Sequence, residues 1–242
     1  IMKTKIIFSI LLITLLAGCG LTSKDTKQSS NNSVKMKVYC ASGKGVAYSA
    51  DSGVTWQHLT KTKANGLTEE RLTSVYVVDD NNYYVGTLRG LAQTTNNATS
   101  WTMYTADSGL GGNEIRCIQK LGSTLYVGTN GGLSISTDNA TTWVNLNAKD
   151  GFQANGVNNI LQNGSMLLAA TDAGLLVSTD NAKTWKRYEV SGDVVNNVFI
   201  KKDKLYLSTN KGLYTAGFVS TANNMLTGFF EKLESDGYAD FL

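Results

Sequence analysis

The sequence predicts an all-β fold, a β-propeller of four-stranded blades, five in number and incompletely closed. Three observations predict it. A short phrase ending in tryptophan recurs, with tryptophans at 56, 101, 143 and 185, so the steps are 45, 42 and 42 residues. Self-similarity at that period marks a repeat fold whose units cannot bury their apolar faces alone. Ahead of each phrase stand short apolar runs punctuated by Gly, Asn and Asp, which read as strands of about five residues. Helical periodicity is absent from the repeats, and the 242 residues include no proline. Four antiparallel strands in about 42 residues make one blade.

Residues 1–18 read as a lipoprotein signal peptide. Ile1 ahead of Met2 reads as an over-extended frame; then come Lys3, Lys5, the apolar run Ile6 to Leu16, and Leu16-Ala17-Gly18-Cys19. A basic start, about ten apolar residues and small residues at a cleavage point describe a secretory signal. The run is shorter than the roughly 20 residues of a spanning helix. Its last four residues match the bacterial lipobox, which implies lipidation of Cys19 (a diacylglycerol thioether, palmitate among its chains) and anchoring to a membrane. Residues 19–33 are then the lipidated cysteine and a polar tether, too poor in apolar side chains to offset chain entropy. The expected location is the bacterial cell envelope, outside the cytoplasm. Gly20 rather than Asp follows the cysteine, which implies the outer membrane if the host is Gram-negative.

The formal net charge is +3, and loss of Lys3 and Lys5 with the signal leaves +1. So small an excess gives no electrostatic argument for nucleic acid. The single histidine, His58, speaks against histidine-rich metal sites and most Ser–His or Cys–His nucleophile pairs. No cofactor and no metal site is expected. Cys40 and Cys117 lie in different repeats without a short-range pairing pattern, and are expected as thiols.

The repeats occupy residues 34–217. Their middle hairpins are Tyr39 to Val46, Tyr84 to Leu91, Tyr126 to Leu133, Leu168 to Leu175 and Tyr206 to Leu213. An inner strand precedes four of them, marked by Leu72 and Val75, Ile115 and Ile118, Val157 and Ile160, and Val195 and Val198. The first unit is expected to lack its inner strand and the fifth its tryptophan-bearing outer strand. Residues 218–242 carry Met225, Leu226, Phe229, Phe230 and Leu233 at helix-like spacing. This tail either closes the ring or belongs to a truncated blade of a longer propeller.

The phrase sits at the turn from third to fourth strand. Its copies are Ser49 to Trp56, Ser136 to Trp143 and Ser178 to Trp185, with a worn copy from Thr94 to Trp101. Asp51, Asp138 and Asp180 are placed to accept backbone N–H groups across the loop. Gly53 allows φ > 0. The tryptophan opens the outer strand and is expected to pack between neighbouring blades.

Ser49, Asp51, Gly53 and Trp56 match every fixed position of S-x-D-x-G-x-T-W, so the phrase resembles the Asp-box, the bacterial neuraminidase repeat. Ala98, Ala140 and Ala182 replace the glycine elsewhere. The preceding strands, with Tyr126-Val127-Gly128-Thr129 as the clearest, resemble the propeller repeats of two-component sensor proteins. Together the resemblances span 36–216. Asp-boxes imply sialidases and other glycosidases, but in those families the motif is structural. A sialidase-like site needs three arginines on a carboxylate, a Tyr–Glu pair and an acid, and this chain has only Arg71, Arg89, Arg116 and Arg187. Catalysis is not expected.

In a propeller the loop entering each inner strand shares the upper rim with the turn between strands two and three. Inner-strand channel positions are Thr73-Ser74, Arg116-Cys117, Asn158-Asn159 and Asn196-Asn197, and charge concentrates above them on blades two and three. Glu70, Arg71, Arg89, Glu114 and Arg116 are therefore the candidate ligand-binding residues, suited to a carboxylate or several hydroxyls. The expected function is a monomeric, non-enzymatic binding module for a protein partner or an envelope glycan. A lectin, a degenerate glycoside hydrolase, and an assembly factor for an envelope complex (by analogy with the photosystem II stability factor, which uses this repeat) stand as alternatives.

Overall fold

The computed structural model describes residues 36–59, 66–67, 69–191, 194–219 and 225–233. The signal peptide, Cys19 and the tether lie outside the described residues. Strands account for nearly all the regular structure, and five antiparallel sheets follow one another along the chain. The first has three strands: β1 (Val38–Ser42), β2 (Gly45–Ser49) and β3 (Gln57–Leu59). The second holds β4 (Leu72–Val77), β5 (Tyr83–Thr87), β6 (Gly90–Thr94) and β7 (Thr102–Tyr104). The third holds β8 (Ile115–Leu121), β9 (Thr124–Thr129), β10 (Gly132–Ser136) and β11 (Val144–Leu146). The fourth holds β12 (Val157–Asn163), β13 (Met166–Thr171), β14 (Gly174–Ser178) and β15 (Lys186–Tyr188). The fifth holds β16 (Val195–Lys201), β17 (Lys204–Thr209), β18 (Gly212–Val219) and β19 (Met225–Lys232). Each is a simple meander, as expected of propeller blades.

The first blade lacks an inner strand among the described residues, so β1 has a partner on one side only. The fifth blade departs from expectation. Its outer strand exists: β19 pairs with β18 from Val219↔Met225 to Tyr214↔Lys232, through a bulge near Thr215 and Gly217. The helix-like spacing in this segment is overridden because the open edge of β18 offers backbone N–H and C=O groups that a helix would leave unpaired. The boundary expected after residue 217 falls inside β18, and 218–219 and 225–232 belong to the fifth sheet.

The core is not one cluster but four, each between consecutive blades. Tyr39, Val46, Leu72, Tyr83 and Trp101 join blades one and two, and Tyr84, Leu91, Ile115 and Leu125 join two and three. Phe152, Val157, Leu167 and Leu176 lie between three and four, and Leu168, Leu175, Val195 and Leu205 between four and five. Alternation along β5 explains the pattern: Tyr83 and Val85 face back to blade one while Tyr84 faces on to blade three. No blade buries its own two faces. Stability therefore resides in junctions, as in a stack of repeats.

Candidate functional site

Three of the four tryptophans occupy those junctions. Trp101 lies edge-on to Tyr83 of its own blade at 5.4 Å, both in the cluster shared with blade one, while Trp143 meets Tyr104 of the preceding blade at 6.4 Å and Trp185 meets Phe152 of the preceding linker at 5.1 Å. Trp56 differs: it is 44% exposed.

The phrase that carries them folds alike in all copies. In the first, Ser49 Oγ donates to Asp51 Oδ1 at 2.8 Å and accepts from Gly53 N at 2.8 Å. Thr55 donates its backbone N–H to Asp51 Oδ1 at 2.8 Å and its hydroxyl to Oδ2 at 2.6 Å. The same four bonds join Ser136, Asp138, Ala140 and Thr142, and Ser178, Asp180, Ala182 and Thr184. The worn copy rebuilds the loop with Thr94, Asn96, Ala98 and Ser100, the Asn96 amide now donating to Ser100 Oγ at 2.8 Å. Thr55, Thr142 and Thr184 hold the three aspartates at a pKa of about 2, below the ordinary carboxylate value. Both oxygens of each carboxylate accept hydrogen bonds within the loop. They close a loop.

A second repeated device shapes the rim. Ser42, Thr87, Thr129, Thr171 and Thr209 end the second strand of their blades, and each hydroxyl donates to the carbonyl of a glycine three residues on: Gly45, Gly90, Gly132, Gly174 and Gly212. The same hydroxyl accepts the N–H of the residue between, namely Lys44, Arg89, Gly131, Ala173 and Lys211. Each of the five glycines has a positive φ, from 101° to 139°, which L side chains rarely adopt. Five identical clamps thus present five tip residues. The sequence carries this as [S/T]-x-x-G at the middle of every hairpin, a signal that the reading by strands passed over.

A third device lines the channel. All four inner strands bulge at one place, at Thr73, Arg116, Asn158 and Asn196. A bulge re-aims its side chain, and here it aims it at the next blade. Thr73 Oγ1 donates to Ile115 O at 2.5 Å, Arg116 Nη1 to Asn158 Oδ1 at 3.0 Å, and Asn158 Nδ2 to Val195 O at 2.8 Å. Arg116 Nε also donates to Glu114 Oε1 at 3.0 Å. Asn196, next in line, is exposed.

The five candidate binding residues therefore fall in two groups. Glu114 and Arg116 belong to the channel ladder between blades three and four. Arg89 stands at a clamp tip, its side chain 75% exposed, and its nearest acid is Glu69 at 3.7 Å rather than Glu70. Glu70 and Arg71 are exposed, and the Glu70 carbonyl accepts from Gly45 N at 2.9 Å, which brings the Lys44 turn to the same stretch of rim. Lys44, Arg71 and Arg89 share that stretch with Glu69 and Glu70; Lys44 and Glu69 were not anticipated. Cys117 is a buried thiol, its pKa pushed up to about 12 by burial, and neither it nor Cys40 is in a disulfide. Among the described residues no group of His, Cys, Asp and Glu is arranged to hold a metal ion. No described helix is long and apolar enough to cross a membrane.

The family model described as the DUF6242 beta propeller domain matches residues 54–199. The chain belongs to that family. No curated protein matches it. Among solved structures, the DUF6242-type chain is similar to the extracellular domain of a protein described as the putative hybrid two component system BT3049 from B. thetaiotaomicron, with a TM-score of 0.62 and 19% identity over 91% of this chain and 31% of that one. It is also similar to YCF48 bound to D1 peptide (TM-score 0.56, 18% identity, 82% and 65% covered), and to YCF48 from Cyanidioschyzon merolae (TM-score 0.57, 12% identity, 92% and 74% covered). At these identities the likeness is one of fold, and the chain spans under a third of the first of these structures.

Proposed function

We propose that this DUF6242-type propeller is a non-enzymatic binding module of the bacterial envelope, lipid-anchored through Cys19, that engages a partner through its upper rim. The observation that carries the reading is the clamp set. The frame is the same in five blades while the tip residue changes, from Lys44 and Arg89 to Gly131, Ala173 and Lys211. Lys44, Arg89, Ala173 and Lys211 are held by one frame and varied in chemistry, which serves presentation, whereas Gly131 is set by packing because a Cβ there would run into the Gly111 carbonyl. The exposed cations beside Glu69 and Glu70 suit a partner bearing carboxylates, a protein surface or an acidic envelope glycan. Four residue types among five tips argue against a lectin with one sugar site per blade. The extracellular sensor domain of similar fold supports an extracytoplasmic place, and a polypeptide partner is in keeping with YCF48, a chain of similar fold, bound to D1 peptide.

The test is a pull-down with the intact anchored protein, paired with a glycan array. Arg71→Ala with Arg89→Ala should weaken capture at least tenfold at low salt, because hydrogen bonds from charged groups contribute about 1.5–3 kcal/mol each. Capture unchanged by this double variant would move the binding surface off the rim.

A further inference from the structure

The first turn residue of the clamp has a structural task in blades three and four that, in blade two, falls to another residue. The register sets the comparison. Thr87, Thr129 and Thr171 pair with Leu72, Ile115 and Val157, so Arg71, Glu114 and Gly156 are equivalent, as are Leu88, Asn130 and Asp172. In blade three Asn130 Oδ1 accepts the Glu114 N–H at 3.4 Å. In blade four the Asp172 carboxylate accepts two, from Gly156 at 2.9 Å and from Asn155 at 3.3 Å. A leucine side chain cannot accept. In blade two the matching N–H groups, of Arg71 and Glu70, go instead to Glu69 Oε1 at 3.2 and 3.1 Å. The linker satisfies its own backbone, and position 88 is released.

The released position carries an apolar side chain in open view. Leu88 is 41% exposed on the upper rim, next to Arg89. The other exposed large apolar side chains among the described residues are Met36, Val54, Trp56 and Val144. Those lie in or beside the tryptophan-bearing loops, at the opposite end of the blades; Met36 is held there by its carbonyl, which accepts from Ser52 N at 3.0 Å. The corresponding turn residues of the other blades are Gly43, Asn130, Asp172 and Asn210. Folding does not ask for leucine where glycine, asparagine or aspartate serves.

We propose that the rim of blade two reads a polypeptide bearing an acidic residue beside a large apolar one: Leu88 covers the apolar side chain, while Arg89 and Arg71, with Lys44 on the neighbouring turn, meet the carboxylate. The inference rests on the rim reading above and narrows its partner to protein. Charge complementarity alone would serve an acidic glycan equally well. The leucine decides against it. Hydroxyls flanking a sugar carboxylate would lose water against Leu88 and gain no hydrogen bond there, whereas a Leu or Phe side chain removes apolar surface from water on both sides of the contact. Arg89 stays available for the carboxylate, because Glu69 is engaged by two backbone N–H groups and stands 3.7 Å from the guanidinium.

Binding of the full-length chain to three immobilised probes tests this: short synthetic peptides with Asp or Glu next to Leu or Phe, the same peptides with Ala in place of the apolar residue, and oligogalacturonate. The native protein should bind the first set at least about fivefold more tightly than the second, the share expected from covering one partly exposed leucine. Leu88→Asn installs the residue of blades three and five; it should keep Tm and erase that difference. Arg71→Ala with Arg89→Ala should weaken binding of both peptide sets. Equal binding of the two sets, a preference that survives Leu88→Asn, or oligogalacturonate bound ahead of either set overturns the polypeptide inference and leaves the rim reading standing. Failure of all three probes to bind, or binding that the double arginine variant leaves unchanged, overturns both.

Discussion

Removing the ring of Phe152 asks whether the junctions hold this protein together. Phe152 is 2% exposed, and Trp185 stands edge-on to it at 5.1 Å and 87°. Burying a Phe side chain of this kind and leaving a cavity behind corresponds to about 3–5 kcal/mol for Phe→Ala. The total stability of a domain is about 5–15 kcal/mol, so Phe152→Ala should still fold. For a domain of about 200 residues each kcal/mol moves Tm by about 2–4 °C, which puts the expected fall at about 6–20 °C. Trp185→Ala should sit nearer 3 kcal/mol, because that side chain is only partly buried. The two residues touch, so their costs should not add. An edge-to-face pair contributes about 0.5–1.5 kcal/mol beyond its buried area, and the double variant should be less damaged than the sum by about that much. Urea denaturation followed by circular dichroism reads all three, with an unchanged m-value as the sign that the same structure unfolds. A Phe152→Ala cost below about 1 kcal/mol, or strictly additive costs, would refute the assignment of stability to linker–tryptophan junctions.

Three further outcomes are expected. Asp51, Asp138 and Asp180 have folded pKa values of about 2 against 3.8 for the free group, so their stabilising share is present above about pH 4 and is lost as pH falls toward 2; denaturation midpoints at pH 5, 3 and 2 should fall, and less so in Asp138→Asn. Gly128→Ala should reduce soluble yield and lower Tm, since an added Cβ would meet Cys117 Sγ and stand 2.7 Å from the Val157 carbonyl, whereas Gly53→Ala should cost only the backbone strain of φ 89°, because its Cβ meets only Trp56 Cζ2 at 3.7 Å and alanine holds that place at positive φ in three copies. Cys19→Ser should release the protein from the membrane fraction, read by fractionation and by loss of the acyl mass.

The periodic part of the fold was open to reading because it is written four times over. Trp101, Trp143 and Trp185 recur at one spacing, and spacing alone placed them between blades. What failed was the unrepeated segment. Met225 to Leu233 has no sister copy, and its apolar spacing fits a helix, while the partners along β18 lie 6 to 18 residues away in sequence. That Glu70, Arg71 and Arg89 lie exposed near the blade tips was legible in the sequence, and their pairing was not. Glu70 and Glu69 are adjacent in sequence, and only the rim geometry turns the latter toward Arg89. The bulges at Thr73, Arg116 and Asn158 left no compositional mark, since three different side chains make the same reach to the next blade.

Arg116 and Arg89 illustrate how the fold separates structural charge from available charge. Arg116 sits on a bulge whose neighbour is the next inner strand, and its guanidinium is committed to Glu114 and Asn158 within a side chain 30% exposed. Removing it would leave the Asn158 amide oxygen without its donor at a blade junction, so the consequence falls on stability. Arg89 sits on a clamp whose neighbour is solvent. Its main chain is fixed by the Thr87 hydroxyl at 2.9 Å, while its charge meets only Glu69 at 3.7 Å. An exposed contact of that length contributes little to folding, so the consequence of losing Arg89 falls on whatever meets the rim. One residue type, 27 positions apart, thus does two kinds of work according to whether the backbone beneath it faces another blade or water.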